Sequence, residues 1–390
     1  MKTTRTAKRI LWFLPLLSMI LLTGCWDRRE INDVGFVLAT AIDLEKNNQY
    51  RVSLQVALPG QMGGESGGGG GTGGDKSYYI DSATGKTVGD AMNSLQKRMS
   101  RFLTTSHVRV YVIGEDLAKK GVKELFSSLG RGTEYRLNAY MMVAKGKAYD
   151  LLGAQPKFER FPAEALRELA KTSNMTVKDL ANSMALEGSD AVMPYMGVEE
   201  SQKGDKPSKE IALMGYALFD NGHMSGLLQG ENLSGFNFML HKKMGFMTLE
   251  LAKQDSLDVF LTGGTVRILP KLSGNNVSFD IRITAAASIV ETMSMRDLTL
   301  PVNTHAFEKK LSEKLQASIT GTLHNLQKSD SDAIGFGEVI SRELPGKWKN
   351  ISGQWKKDYF QQAAFHVQVD SNITRAGLIS ENIAKKEPKS

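Results

Sequence analysis

Only one cysteine, Cys25, occurs in the 390 residues. That excludes disulfides, a paired-thiol redox centre and zinc-thiolate sites, so the fold must rest on packing alone. Histidine is also scarce. His107, His223, His241, His305, His324 and His366 are scattered, and none falls in an H-E-x-x-H or other tight ligand spacing, so the sequence predicts no metal site and no cofactor. Past the first two dozen residues no apolar run approaches the roughly 20 residues of a spanning helix. The body of the chain should therefore lie on one side of any membrane. Charge of one sign is modest, with 49 basic against 42 acidic residues. It lacks the dense Lys/Arg stripe of a nucleic-acid binder.

What is present begins at the N-terminus. Lys2, Arg5, Lys8 and Arg9 form a basic start, Ile10 to Leu22 an apolar run, and Leu22-Thr23-Gly24-Cys25 follows. The run is short for a span, and Pro15 interrupts it. Basic start, short apolar run, small residues and a lone cysteine together read as a lipoprotein signal, cleaved between Gly24 and Cys25. The expected product starts at Cys25, with diacylglycerol on its sulfur and a further acyl group on its new amino terminus. Residues 1–24 hold four basic and no acidic residues, so cleavage lowers the net charge from +7 to +3. One acyl chain gives marginal, reversible binding, whereas two or more hold a protein durably at a bilayer.

With 41% hydrophobic and 23% charged residues the remainder should fold. Its pattern predicts an α+β (mixed α/β) architecture of three domains. The first, 25–205, opens with a hairpin from Val34–Asp43 and Tyr50–Leu58 around the polar cluster 45–49. Residues 59–75, dominated by glycine, are expected to form a flexible loop. Thr87 should cap a helix, Val108–Ile113 should be a buried strand, and Asp116–Leu129 one helix ended by Gly130. A strand at 137–143 and helices at 163–172 and 177–186 complete this unit. A polar stretch, 199–208, suggests a boundary, followed by a small middle α/β domain, 206–270, with a strand at Ile211–Phe219 and a turn at Asp220-Asn221-Gly222. In a C-terminal α/β domain, 271–390, Val277, Phe279, Ile281 and Ile283 alternate with polar residues as a half-buried strand does. The clearest helix, 304–327, is expected to be capped at Asn303, with Phe307, Leu311, Leu315, Ile319, Leu323 and Leu326 on one face. A strand around 365–373 should close the chain, the strands flanking the helix reading as antiparallel.

Candidate chemistry is thin. Gly64-Glu65-Ser66-Gly67-Gly68 matches the G-x-S-x-G elbow in form, but no helix pattern follows Ser66 and the strand–turn–helix context is missing. Gly85-Lys86-Thr87 resembles the end of a phosphate-binding loop, yet Ile80 stands where the first glycine is required, so Gly85 and Thr87 read as a helix start. Glu199 and Glu200 read as solvated charge. No set of residues makes an active site, and the chain is expected not to be an enzyme. Trp348 and Trp355, after the turn Pro345-Gly346, read either as core residues under a loop or as partner-contact anchors.

Cys25-Trp26-Asp27-Arg28-Arg29-Glu30-Ile31, Asp33-Val34-Gly35-Phe36 and Ala41-Ile42-Asp43 resemble the mature N-terminus of the Ger(x)C family, the lipoprotein C subunits of spore germinant receptors. The likeness returns at Asp332-Ala333-Ile334-Gly335-Phe336-Gly337, Pro345-Gly346-Lys347-Trp348, Trp355 and Ile373-Thr374-Arg375-Ala376-Gly377. This resemblance implies three mixed α/β domains and a non-enzymatic subunit lipidated at Cys25. It further implies a place on the outer face of the spore inner membrane, beside integral membrane A and B subunits. A competing expectation is a solute-binding lipoprotein of a transport system, a class that usually shows two similar lobes around a cleft. Catalysis at Ser66 ranks last.

Overall fold

The computed structural model describes residues 30–59, 77–131, 136–201, 208–241 and 245–375. Gly24, Cys25, Ser66, the run Gly67–Gly71 and the tail beyond 375 lie outside these.

The N-terminal part is built on a nine-stranded mixed sheet. Its centre is four parallel neighbours, β1 (Val34–Leu44), β5 (Val110–Gly114), β6 (Tyr140–Ala144) and β7 (Val192–Glu200). One edge is extended by antiparallel β2 (Tyr50–Ala57) and β3 (Tyr78–Gly85), the other by antiparallel β8 (Lys209–Asp220) and β9 (His223–Leu228). Short β4 (Phe102–Thr104) runs parallel to the start of β1. Alternate side chains of the central strands enter two apolar clusters on opposite faces: Val37, Ile42, Tyr111 and Val143 on one, Ala39, Ala41, Val112 and Met142 on the other. Both faces are buried, as a parallel centre requires, which is why these strands read as near-continuous apolar runs.

Helices α1 (Val88–Gln96), α2 (Glu115–Lys120) and α3 (Lys123–Arg131) serve the first face; α4 (Ala148–Gly153) and α5 (Pro162–Lys171) serve the second. Helix α6 (Val177–Ala185) precedes β7 and begins with a capping box between Thr176 and Asp179. The single helix expected over 116–129 is two. Gly121, at φ +130°, ends α2, and a Cβ there would lie 2.8 Å from the His223 ring, so the chain turns where only glycine fits.

The polar stretch 199–208 connects β7 to β8, which pair antiparallel across the boundary expected near 205. The turn at Asn221-Gly222 is as expected, with φ of 50° and 85°.

The C-terminal part is a four-stranded sheet, β10 (Phe246–Ala252), β11 (Asp255–Ser273), β12 (Asn276–Thr292) and β13 (Ala364–Arg375). Strand β11 spans 19 residues, passes through 270/271, and has no counterpart in the sequence pattern. Gly263, Gly264 and Pro270 break its alternation, and Gly264 sits at a close approach where a Cβ would lie 2.0 Å from the Thr284 carbonyl oxygen. Helix α7 (Asn232–His241) and long α8 (Pro301–Lys328) pack on this sheet. The expected α8 stripe from Phe307 to Leu326 is buried throughout. Its start differs from expectation: Leu300 is the cap residue and Pro301 opens the helix, because a fixed φ near −65° suits that position. Asn303 lies in the first turn, its Nδ2 donating to the Asp297 carbonyl at 2.8 Å. Strand β13 is parallel to β12, not antiparallel, because the α8 crossover returns the chain to the same end. One buried apolar cluster runs from Val37 in the first sheet to Val369 in the second, so the two sheets share a core.

Candidate functional site

Asp332 is wholly buried and lies before α9 (Phe336–Glu343). Its Oδ1 accepts the N–H groups of Gly335 and Phe336 at 3.0 and 2.8 Å, and its Oδ2 accepts those of Gly337 and the Trp355 indole at 2.8 and 2.9 Å. The carboxylate thereby satisfies helix-start donors that have no partner within the helix. Gly335, at φ +82°, turns the chain into α9. Burial pushes the Asp332 carboxyl up to about 6, against the pull of the Gly337, Phe336 and Trp355 donors.

A second carboxylate ties this loop to the first sheet. Asp190, just before β7, accepts the Asp332 N–H through Oδ2 at 2.9 Å, and its own N–H donates to the Asp332 carbonyl at 3.0 Å. Its Oδ1 accepts the Asn221 N–H at 3.3 Å and Lys356 Nζ at 2.6 Å. Lys356 also bonds Asp220 at the end of β8. Burial raises Asp190 above the usual carboxylate range, although Lys356 opposes it. Burial alone would lower the Lys356 ammonium; Asp190 and Asp220 outweigh it and hold Lys356 above its ordinary value.

Shape reinforces charge. Gly188 and Gly337 meet backbone to backbone: a Cβ on Gly188 would lie 2.7 Å from Gly337, and one on Gly337 would lie 2.5 Å from the Gly188 Cα. The Glu338 N–H donates to the Gly188 carbonyl at 3.1 Å. Trp348, in α10 (Pro345–Ile351), and Trp355 are 6% and 3% exposed, with ring centroids 5.6 Å apart. Trp355 begins a six-residue π-helical turn, Trp355–Phe360, that carries Lys356 toward Asp190. Phe279 of β12 meets Phe336 at 4.8 Å and Phe365 at 5.6 Å. Both Trp348 and Trp355 are enclosed, which is the placement the core reading of them expects.

Lys356→Ala leaves Asp190 buried with one cation fewer. Because Lys356 is partly exposed, a loss of about 2 kcal/mol is expected in urea titration. The Asp332 carboxyl, raised when folded, binds its proton more tightly in the folded chain. Its contribution therefore weakens as pH rises from about 4 to about 6. Unfolding free energies across that range should fall less steeply with pH in Asp332→Asn than in the parent chain.

Other candidates resolve into structure. Both oxygens of buried Asp43 accept N–H groups at the start of α4, Ala148 at 2.7 Å and Tyr149 at 3.1 Å, and burial raises its carboxyl. Thr87 Oγ1 accepts the Asp90 N–H at 3.1 Å, and a Cβ on Gly85 would lie 2.4 Å from the Ala91 nitrogen, so Gly85-Lys86-Thr87 is a helix start. Thr87→Ala should cost about 1 kcal/mol in the same titration. Glu199 and Glu200 are exposed at the end of β7. Among the described residues no three His, Cys, Asp or Glu side chains are grouped to hold a metal, and no helix is long and apolar enough to cross a membrane. The sequence reading missed Gly188, Asp190, Asp220 and Lys356, whose partners lie up to 166 residues away along the chain.

Asp332–Gly337, Trp348 and Trp355 of this junction are among the residues that carry the family likeness. Residues 27–198 match the family described as spore germination protein N-terminal domain, and 214–377 match spore germination B3/GerAC like, C-terminal. A chain of Bacillus subtilis (strain 168) named YfkR is 34% identical over 385 residues, covering 95% of this chain and 97% of that one. The chain belongs to the Ger(x)C family of spore germination proteins. Spore germination protein KC of the same organism is 27% identical to this Ger(x)C protein, covering 95% and 96% of the two chains. The crystal structure of the GerBC protein superposes with a TM-score of 0.57 at 17% identity, covering 86% of this chain and 96% of that one. The Ger(x)C fold is thus the mixed α/β architecture described above.

Proposed function

We propose that this Ger(x)C protein is the lipid-anchored, non-enzymatic C subunit of a spore nutrient germinant receptor, acting with integral membrane A and B subunits. It is held by Cys25 on the outer face of the spore inner membrane. The observation that carries this reading is the junction of the family match with the anchor signal: the matched region begins at Asp27, two residues past the only cysteine. Several described residues that carry the likeness support it too, since they are spent on holding the fold together. Asp332, Asp43 and Trp355 each have their polar atoms bonded within the chain. The solute-binding alternative is less favoured, because the nine-stranded and four-stranded sheets are unlike and share one core.

Deleting the gene in a spore-former without a redundant copy and scoring germination with single nutrients tests the reading. Loss of response to one nutrient or a defined set, with responses to unrelated triggers intact, is expected. Unchanged responses to every nutrient would overturn it.

A further inference from the structure

Two exposed apolar patches stand out on this protein. One, around Met293 and Met295, lies between β12 and α8. The other lies where β1 begins. Ile31, in the short helical turn before β1, is 73% exposed, and Phe102 of β4 is 36% exposed and pairs with Val34. Tyr79, 48% exposed, stands near the same end on β3, because β2 and β3 return antiparallel to β1. Beside Phe102 the loop from α1 carries Lys97, Arg98 and Arg101. Arg98 is spent on Asp81 at 2.9 Å, whereas Lys97 and Arg101 are exposed and make no ion pair among the described residues. Arg101 lies against β1, with its Cβ 3.8 Å from where a Cβ on Gly35 would sit. Exposed Glu30 and Asp33 are the acidic residues on the β1 side, and Arg28 and Arg29 precede them in sequence.

Covalent geometry fixes what this end can reach. Five peptide units separate Cys25 from Glu30, and five units span at most about 18 Å. A lipid on the Cys25 sulfur therefore keeps the start of the Ile31–Phe102 end within about 18 Å of the bilayer surface, while nothing constrains the Met293–Met295 patch in this way. Apolar side chains interleaved with cations that make no ion pair among the described residues suit an interface of acyl chains and anionic headgroups, where a polybasic patch adds to lipid anchoring. Resting on the lipid-anchor reading, we propose that Ile31, Phe102, Lys97 and Arg101 form a docking face for an anionic phospholipid bilayer. This face sets the orientation in which the ectodomain stands on the membrane.

The lipidated chain suits a direct test, because its one native thiol carries the lipid and an introduced cysteine is uniquely labelled. Spin labels at Ser100→Cys and, separately, Met295→Cys are compared on phosphatidylglycerol-containing and phosphatidylcholine-only vesicles. Accessibility to a water-soluble nickel chelate is read by power saturation, and circular dichroism confirms the fold. The label at position 100 should be several-fold less accessible than that at 295 on anionic vesicles. Lys97→Glu with Arg101→Glu, or neutral vesicles, should remove most of that protection. Equal exposure of the two labels, or protection at 295 instead, overturns the orientation. Equal protection at 100 on both vesicle types overturns the assignment of anionic lipid. A chain that fails to float with vesicles at all overturns the anchor and this proposal with it; one that floats with an exposed label at 100 overturns this proposal alone.

Discussion

Asp332→Ala should lower the unfolding free energy by about 4 kcal/mol, because buried donors left without a partner each cost roughly 1–3 kcal/mol. Four N–H groups converge on that carboxylate: Gly335, Phe336, Gly337 and the Trp355 indole. None has water to turn to, since all four belong to buried residues, and of the four Gly335 alone keeps a second acceptor among the described residues, the Asp332 carbonyl at 3.1 Å. The loss extends beyond α9, because the Asp332 backbone is bonded both ways to Asp190 before β7. Asp332→Asn should cost less, since its amide keeps one acceptor oxygen in place while turning a donor toward another donor. Urea titration at pH 7 of the parent and the two variants gives the ranking. Equal stability of all three would mean that the four bonds contribute nothing net.

Gly337→Ala should be nearly as severe, through shape rather than charge. The added methyl would sit 2.5 Å from the Gly188 Cα and 2.7 Å from the Trp355 indole nitrogen. Backbone on the far side cannot swing away as a flexible side chain would, so α9 must separate from the segment before β7. Overpacking of this kind costs about 1–3 kcal/mol, and the upper end is expected where the obstacle is backbone. Gly188→Ala meets the same obstacle from the other side and adds the strain of φ +82°. Because both substitutions fill one contact, their combined effect should fall short of the sum, which a double-mutant cycle measures. Full additivity would mean the two glycines act independently.

Much of this fold was legible because its elements are locally consistent. The β1–β2 hairpin, the Thr87 cap, the Asn221-Gly222 turn and the buried stripe of α8 all follow from periodicity and turn chemistry. What escaped has identifiable causes. Gly121 divides one amphipathic stretch into two helices because of the His223 ring, a partner about a hundred residues on. β11 hid behind Gly263, Gly264 and Pro270, which local rules read as breakers; Gly264 sits where the Thr284 carbonyl comes close, and Pro270 lies beyond the stretch that β10 pairs. The direction of β13 depends on how α8 crosses, and no local pattern encodes that.

The junction was half legible. The Asp332–Gly337 stretch, Pro345–Trp348 and Trp355 were visible as family motifs, and the structure gives them one physical purpose, to hold the C-terminal part against the first sheet. Asp190, Asp220 and Lys356 were not visible, because an isolated charged residue in sequence reads as solvated until its partners are known. Pairing rescues them: Lys356 satisfies two carboxylates that burial would otherwise penalise. The result is a body whose two sheets share one core, and the one cysteine in the sequence, Cys25, is expected to be spent on lipid.

The proposal that this protein serves germination as a subunit held at the membrane by Cys25 is tested most directly by Cys25→Ala in spores. Membrane fractionation, acyl-label incorporation and nutrient-triggered germination are scored on the same preparation. The account predicts an acylated, membrane-bound parent, and a folded variant that carries no acyl label, leaves the membrane fraction and fails to support the nutrient response. A Cys25→Ala chain that lacks the label yet stays in the membrane and supports normal germination would contradict it.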